Sequence, residues 1–238
     1  MNTGLSTIAA SERSALADIE LFKDFDPAAL GQIEQACRYR RFSAQEQIID
    51  RDAASSDVFF IIRGHARVVA YSVSGREITF ADLRAGDYFG EIAAIDGQPR
   101  SAGVMAVEDS VLLSLPRRQF LNMLEDYPQV AMRVMRRLAL IVRNATERIM
   151  DLSTLAANNR VQAELLRQAR SDKTLRNIAV IEPIPIHSDI ASRVSTTRET
   201  VARVLNELAR KGILERTRTA LVIRDVPRLQ DMVQEVRG

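Results

Sequence analysis

Between Phe89 and Ala102 the chain places Gly90, Glu91, Arg100 and Ser101 around a short apolar run, Ile92-Ala93-Ala94-Ile95. Gly90 allows close backbone approach, and the apolar run predicts one helical turn. The first N–H groups of that turn, those of Ile92 and Ala93, have no partner inside it and point at any anion placed there. Arg100 adds a planar, permanently charged fork that can grip two oxygens of one phosphate, and Ser101 adds a hydroxyl. Glu91 accepts hydrogen bonds only when ionised, so it suits a sugar hydroxyl rather than a phosphate. Alone, Glu91 or Arg100 reads as a solvated surface charge. In this order they fit a ribose fused to a phosphate ester.

A second cluster lies at Thr197-Arg198-Glu199-Thr200 and Arg203. Arginine can pair bidentately with guanine O6 and N7, and glutamate can accept from cytosine N4. The two threonine hydroxyls suit phosphates, which position a helix without specifying sequence. Glu199 and Arg203 are also spaced for an i,i+4 pair that merely steadies a helix. Between His187 and Arg218 there are seven basic residues (Arg193, Arg198, Arg203, Arg210, Lys211, Arg216, Arg218) against four acids (Asp189, Glu199, Glu207, Glu215). The local excess of three positive charges favours a polyanion partner.

Composition narrows the classes. The chain has 238 residues, enough for two cores, and a net charge of only +2, so it is not a polycation as a whole. No apolar run reaches the length of a membrane span, and Met1 to Ala10 lacks the basic start and apolar stretch of a secretory signal, so a cytoplasmic location and no membrane partner are expected. Cys37 is the single cysteine, which excludes an internal disulfide framework and an iron–sulfur cluster built from four cysteines of this chain. His65 and His187 lie far apart, giving a metal site little support. There is no Gly-rich nucleotide loop, no kinase-type His-Arg-Asp and no nucleophile motif, so no catalytic residue and no cofactor is assigned.

The elements that must hold these groups follow from periodicity. Ser14 to Arg38 predicts short amphipathic helices, with Asp26-Pro27 as a start signal. Tyr39 to Leu115 predicts short strands of a jelly-roll-like barrel, with Gly64, Gly75, Gly86, Gly97 and Gly103 at its corners. Arg117 to Asn159 predicts helix broken near Tyr127-Pro128. Val134, Leu138, Ile141, Ala145, Ile149 and Leu152 form its apolar stripe, and a parallel dimer seam is the expected use. A hinge is expected at Asn158-Asn159, then a helix over 160–170, and a loop from Ser171-Asp172-Lys173-Thr174 to Pro183-Ile184-Pro185. Ser188–Val194 and Arg198–Arg210 predict two helices around a tight turn, and Leu221-Val222-Ile223 a wing strand. Val201, Val204, Leu205 and Leu208 form the buried face of the longer helix, leaving Arg198, Glu199 and Arg203 free to point away.

The first cluster resembles the phosphate-binding cassette of cyclic-nucleotide-binding domains, with its Gly-Glu start and Pro-Arg-Ser-Ala end. The second resembles the recognition helix of the CRP/FNR superfamily of transcription regulators. The resemblance implies an α+β chain: an N-terminal cyclic-nucleotide-binding jelly-roll barrel, a long dimerisation helix and a C-terminal winged helix-turn-helix. The corresponding domain limits are 1–116, 117–158 and 159–238. It implies that Glu91 holds the ribose 2′-hydroxyl and that Arg100 and Ser101 hold the cyclic phosphate. It also implies that Arg198, Glu199 and Arg203 read the major groove. His187 falls where the family has a further phosphate-facing arginine. Ala145 and Thr146 fall where cyclic AMP-sensing members have a Thr-Ser pair contacting adenine. One hydroxyl is thus missing, and the effector stays open between cyclic AMP and cyclic GMP. The function implied is a homodimeric, non-enzymatic regulator in which the nucleotide sets the spacing of two recognition helices near one DNA turn, about 34 Å. Its partners are palindromic double-stranded DNA, the nucleotide, a second copy and, as a further candidate, RNA polymerase. The alternative is a regulator of the same fold that is ligand-independent or senses cyclic di-GMP.

Overall fold

A computed structural model describes residues 14–171 and 177–237; the Met1–Ala10 stretch and the Asp172-Lys173-Thr174 part of the expected loop lie outside them. The described residues form two compact units. One comprises the chain up to Ala70 together with Phe80–Leu138, the other Tyr71–Thr79 together with Ala139 onward.

The first unit starts with two 3-10 turns, Ala15–Asp18 and Glu20–Phe22, where amphipathic helices were expected. Leu16, Ile19, Leu21 and Phe22 are all buried there, and such closely spaced anchors suit single turns better than a one-sided helix. Helix α1 (Pro27–Ala36) opens as its residues dictate, Asp26 accepting the Ala29 N–H at 2.9 Å. Strands β1 (Arg38–Phe42), β2 (Gln47–Ile49), β3 (Val58–Arg63), β4 (His65–Tyr71), β5 (Glu77–Arg84) and β6 (Tyr88–Phe89) follow. Helix α2 (Glu91–Asp96) precedes β7 (Gly103–Ala106) and β8 (Ser110–Leu115). The strands form two four-stranded sheets, β1-β8-β3-β6 and β2-β7-β4-β5.

Strand β8 is central, pairing antiparallel with both β1 and β3, and its alternation assigns the two cores. Leu112 points with Ile61, Leu83, Phe89 and Val104 into the barrel. Leu113 and Leu115 point with Phe60 toward the helical layer of Leu16, Phe22, Phe120 and Val130. A strand buried on both faces has no polar alternation, which is why Val111–Leu115 is apolar apart from the buried Ser114. Gly64, at φ +105°, joins β3 to β4 because a Cβ there would collide with Ser110. Gly103 departs from expectation. It is the first residue of β7 rather than a corner, and a Cβ there would make only ordinary contact with the Ile49 and Val69 backbone oxygens, each 3.5 Å away.

Helix α3 (Arg117–Asp126) ends at Tyr127, and Pro128 begins α4 (Pro128–Thr154), the break expected at that proline. The α4 stripe is split. Val130, Val134 and Leu138 pack into the first unit's core, whereas Leu140, Ile141, Val142, Ile149, Met150 and Leu152 are exposed. The helix breaks at Leu155-Ala156, not at Asn158-Asn159, and α5 runs over Ala157–Gln168. Two fastenings set that position: Leu155 is buried, and Arg160 Nη1 donates to its carbonyl at 2.8 Å.

The second unit continues with β9 (Arg170–Ser171), β10 (Ala179–Ile181), α6 (His187–Arg193), α7 (Arg198–Arg210), β11 (Leu214–Arg216), β12 (Leu221–Ile223) and α8 (Val226–Arg237). Its sheet runs β11-β12-β10-β9. Val161, Leu165, Ile190, Val201, Val204, Leu208, Ile213 and Leu229 form one core under it. Helix α7 buries Val201, Val204, Leu205 and Leu208, as their spacing requires. Helix α6, the turn, α7 and the β11–β12 hairpin form a winged helix-turn-helix.

Candidate functional site

The segment Gly90–Ser101 folds into a cradle in which Glu91 and Arg100 are buried. Gly90 caps α2 in the left-handed region at φ +91°. A Cβ at this position would lie 2.6 Å from Arg100 Nη1 and 2.7 Å from the Asp57 carbonyl oxygen, so glycine is required for conformation and for space. Arg100 is only 3% exposed. Its Nε donates to Ser55 Oγ at 3.1 Å, Nη1 to the Gly90 carbonyl at 3.1 Å and Nη2 to the Asp57 carbonyl at 2.8 Å. Its backbone is clamped too, with Arg100 N–H on Ala53 O and Asp52 N–H on Arg100 O, both 3.1 Å. A guanidinium has five N–H groups, so this anchoring leaves two for an anion. Burial lowers the Arg100 pKa, and the nearby Asp57 and Glu91 carboxylates oppose that shift.

Glu91 is the first residue of α2 and 4% exposed. Burial raises its pKa, while Arg137, its own backbone N–H and Arg100 pull the other way. The N–H groups of Ile92 and Ala93 precede the first helical bond of the turn, Ala94 N–H to Gly90 O at 3.3 Å. Ile92 and Ser101 are exposed at the rim and Ala93 is buried. At the far end of α2, Arg117 Nε caps the Ala94 carbonyl at 2.8 Å. The structure thus gathers Gly90, Glu91, Ile92, Ala93, Arg100 and Ser101 into one place. Thr146 belongs to the second unit; it is exposed and its hydroxyl donates to the Val142 carbonyl at 3.0 Å.

Arg137 is the residue that sequence reasoning passed over. Its guanidinium lies 4.1 Å from the Tyr88 ring centroid, Nη2 donates to the Tyr88 carbonyl at 2.6 Å, and Nε stands 4.0 Å from Glu91 Oε1. It is the largest of the influences opposing the raised Glu91 pKa. In sequence it is one of several arginines off the α4 stripe, and nothing local ties it to a glutamate 46 positions earlier.

In the second unit Thr197 caps α7, accepting the Thr200 N–H at 3.2 Å. The Glu199 carboxylate receives its own backbone N–H and the Thr197 hydroxyl, which hold its pKa below the usual range. Arg198 and Glu199 are exposed. Arg203 is exposed but not free: its Nη2 donates to Asn158 Oδ1 at 3.0 Å, so it pairs with the start of α5 instead of with Glu199. His187 opens α6, half-buried. The turn into α7 is held from behind, Arg160 donating to the Val194 carbonyl at 2.9 Å and the Ser195 carbonyl at 3.2 Å. Under α5, the buried Asp151 and Glu164 carboxylates share Arg167, at 2.6 and 3.0 Å.

A barrel with a buried arginine in a glycine-lined cradle and a winged helix-turn-helix with exposed charged side chains define the two-domain plan of a DNA-binding regulator. Comparison with known proteins agrees. Residues 39–127 match the family model of the cyclic nucleotide-binding domain, and residues 159–232 that of the Crp-like helix-turn-helix domain. The cyclic AMP receptor protein of Thermus thermophilus is 32% identical over 175 residues, covering 74% of this chain and 78% of its own. The CRP-like cAMP-activated global transcriptional regulator of Mycobacterium tuberculosis is 23% identical over 215 residues, covering 90% and 96%. A CooA mutant from Carboxydothermus hydrogenoformans superimposes with a TM-score of 0.74 at 23% identity over 85% of this chain and 90% of that one. The chain belongs to the CRP/FNR family of DNA-binding transcription regulators, which are not enzymes. Among the described residues no helix is long and apolar enough to cross a membrane, and no cluster of His, Cys, Asp or Glu could hold a metal ion.

Proposed function

We propose that this regulator is a cytoplasmic homodimer whose effector is a cyclic nucleotide, and that it binds palindromic promoter DNA alongside RNA polymerase. The observation that carries the effector is Arg100: a buried guanidinium held by three acceptors, with two N–H groups over and Gly90 leaving the space beside it. A cyclic phosphate would complete it, the N–H groups of Ile92 and Ala93 and the Ser101 hydroxyl would share the anion, and Glu91 would accept from the ribose. Arg137 would hold Glu91 in its ionised form. The names of two relatives, a cyclic AMP receptor and a cAMP-activated regulator, support the class. Ala145 and Thr146 leave cyclic GMP as the second reading, Thr146 being the candidate for reading the base. The exposed apolar residues of α4 supply a face for a second copy. Thr197, Arg198, Glu199, Thr200 and Arg203, with His187 beside them, would engage the DNA.

The test is calorimetric titration of the protein with cyclic AMP and, in parallel, cyclic GMP. One saturable site per chain is expected, lost in Arg100→Ala while circular dichroism stays native. Unchanged affinity in the variant would overturn the phosphate assignment, and silence with both nucleotides would overturn the effector class.

A further inference from the structure

We propose that the hairpin tip between β4 and β5 extends the DNA-binding surface, with Arg76 as a phosphate contact beside the start of α7. The inference rests on the reading of Thr197–Arg203 as the DNA face. Residues Tyr71–Thr79 belong to the second unit, with the winged helix. The tip is a defined structure: Gly75 N–H bonds Ser72 O at 2.8 Å, Ser72 N–H bonds Arg76 O at 2.9 Å, and Arg76 N–H bonds Ser72 Oγ at 3.1 Å.

Two bonds fix it against the reading head. Thr79, 1% exposed, shares a hydroxyl–hydroxyl bond of 2.8 Å with Ser192 of α6. Arg76 Nη2 donates to the Thr196 carbonyl at 2.6 Å. Thr196 is the residue before the α7 cap Thr197, whose Cα follows about 3.8 Å along the chain. The guanidinium is therefore held at the residue before Thr197, whose hydroxyl lies 3.2 Å from that of Thr200, the two groups suited to phosphate. Arg76 spends one N–H on this anchoring and remains exposed, and among the described residues no carboxylate pairs with it. A fixed, unneutralised arginine next to phosphate-binding hydroxyls adds to a polyanion site.

A purely mechanical role for Arg76, holding the turn, predicts a different response to salt. Equilibrium binding of the full chain to a duplex obtained by in vitro selection would be followed across a salt series for wild type, Arg76→Gln, Arg76→Lys and Thr79→Val. Glutamine keeps a donor for the Thr196 carbonyl and removes the charge. Under the proposal it lowers the slope of log K against log salt by about 0.9 for each arginine withdrawn from the interface, with an equal loss on selected and scrambled duplexes. Lysine restores the slope. Thr79→Val loosens the hairpin and weakens binding with the slope unchanged. A wild-type slope in Arg76→Gln would overturn the assignment. Arg198→Ala in the same series separates the two readings. If it weakens binding while Arg76→Gln keeps the slope, only the Arg76 contact falls; if it changes neither affinity nor base preference, the DNA face is misplaced and Arg76 falls with it.

Discussion

The cradle at Gly90–Ser101 and the face at Thr197–Arg203 both bring an arginine near a glutamate in the first turn of a helix, yet they treat charge in opposite ways. In the cradle Glu91 and Arg100 are buried, and Arg100 is pinned by a side-chain oxygen and two carbonyls. On the α7 face Arg198 and Glu199 stand in solvent, and Arg203 has a single amide partner. The proposed partners account for the difference. A small ligand with one phosphate must gain its affinity from a few contacts in a medium where Coulomb interactions are strong. DNA offers many phosphates, so exposed and salt-screened charges suffice when several act together. Changes in the cradle should therefore shift stability as well as binding, and changes on the face should act chiefly on binding.

The strongest test of that contrast is Gly90→Ala. Its Cβ must displace the Arg100 guanidinium or the Asp57 carbonyl, and its φ of +91° is strained for alanine. Overpacking and backbone strain each cost about 1–3 kcal/mol. A lower midpoint in urea together with loss of cyclic AMP binding is expected. A variant that unfolds like wild type and still binds nucleotide would show that the cradle is not pre-built.

The counterpart on the face is Arg198→Ala. Stability should stay within about 0.5 kcal/mol of wild type, as for an exposed side chain without buried partners. Affinity for the cognate duplex should fall by about 1–3 kcal/mol, with discrimination relaxed at one base pair, read by competition among single-base variants of the site. An equal loss on every sequence would make Arg198 a phosphate contact and narrow the difference between the two regions.

Local order carried the readings that succeeded. The strand alternation, the Pro128 break, the Thr197 cap and the buried face of α7 each depend on neighbours within a few residues, so the sequence displays them. The groups that complete each site come from afar. Ser55 and Asp57 hold Arg100 across more than 40 positions, Arg137 reaches Glu91 from another helix, and Arg76 meets Thr196 across 120. Such pairings leave no periodicity. The break falls at Leu155-Ala156 for a related reason: Asn158-Asn159 has the composition of a loop, but Arg160 and burial of Leu155 end the preceding helix earlier. Arg203 on a solvent face gave no hint of Asn158 for the same cause.

The smallest effect concerns the two helix-start glutamates, and here the regions should differ in sign. Burial raises the Glu91 pKa. Between the unfolded value of about 4.3 and the raised native value, the folded chain holds more of this proton than the unfolded chain does. Stability therefore falls as pH rises through that window, and at neutral pH the ionised group is a net cost. Glu199 is the reverse: its own N–H and the Thr197 hydroxyl lower its pKa, so its contribution is present above the unfolded value and is lost as pH falls through the native one. Glu91→Gln should melt higher than wild type at pH 7, with the gap closing as pH drops below about 4.3. Glu199→Gln should melt slightly lower at pH 7, its deficit closing only at more acid pH. Thermal melts of both variants from pH 3 to 8 give the answer. Shifts of the same sign would mean that Arg137 and Arg100 compensate Glu91 fully, and that the cradle, like the face, carries its carboxylate at no cost to the fold.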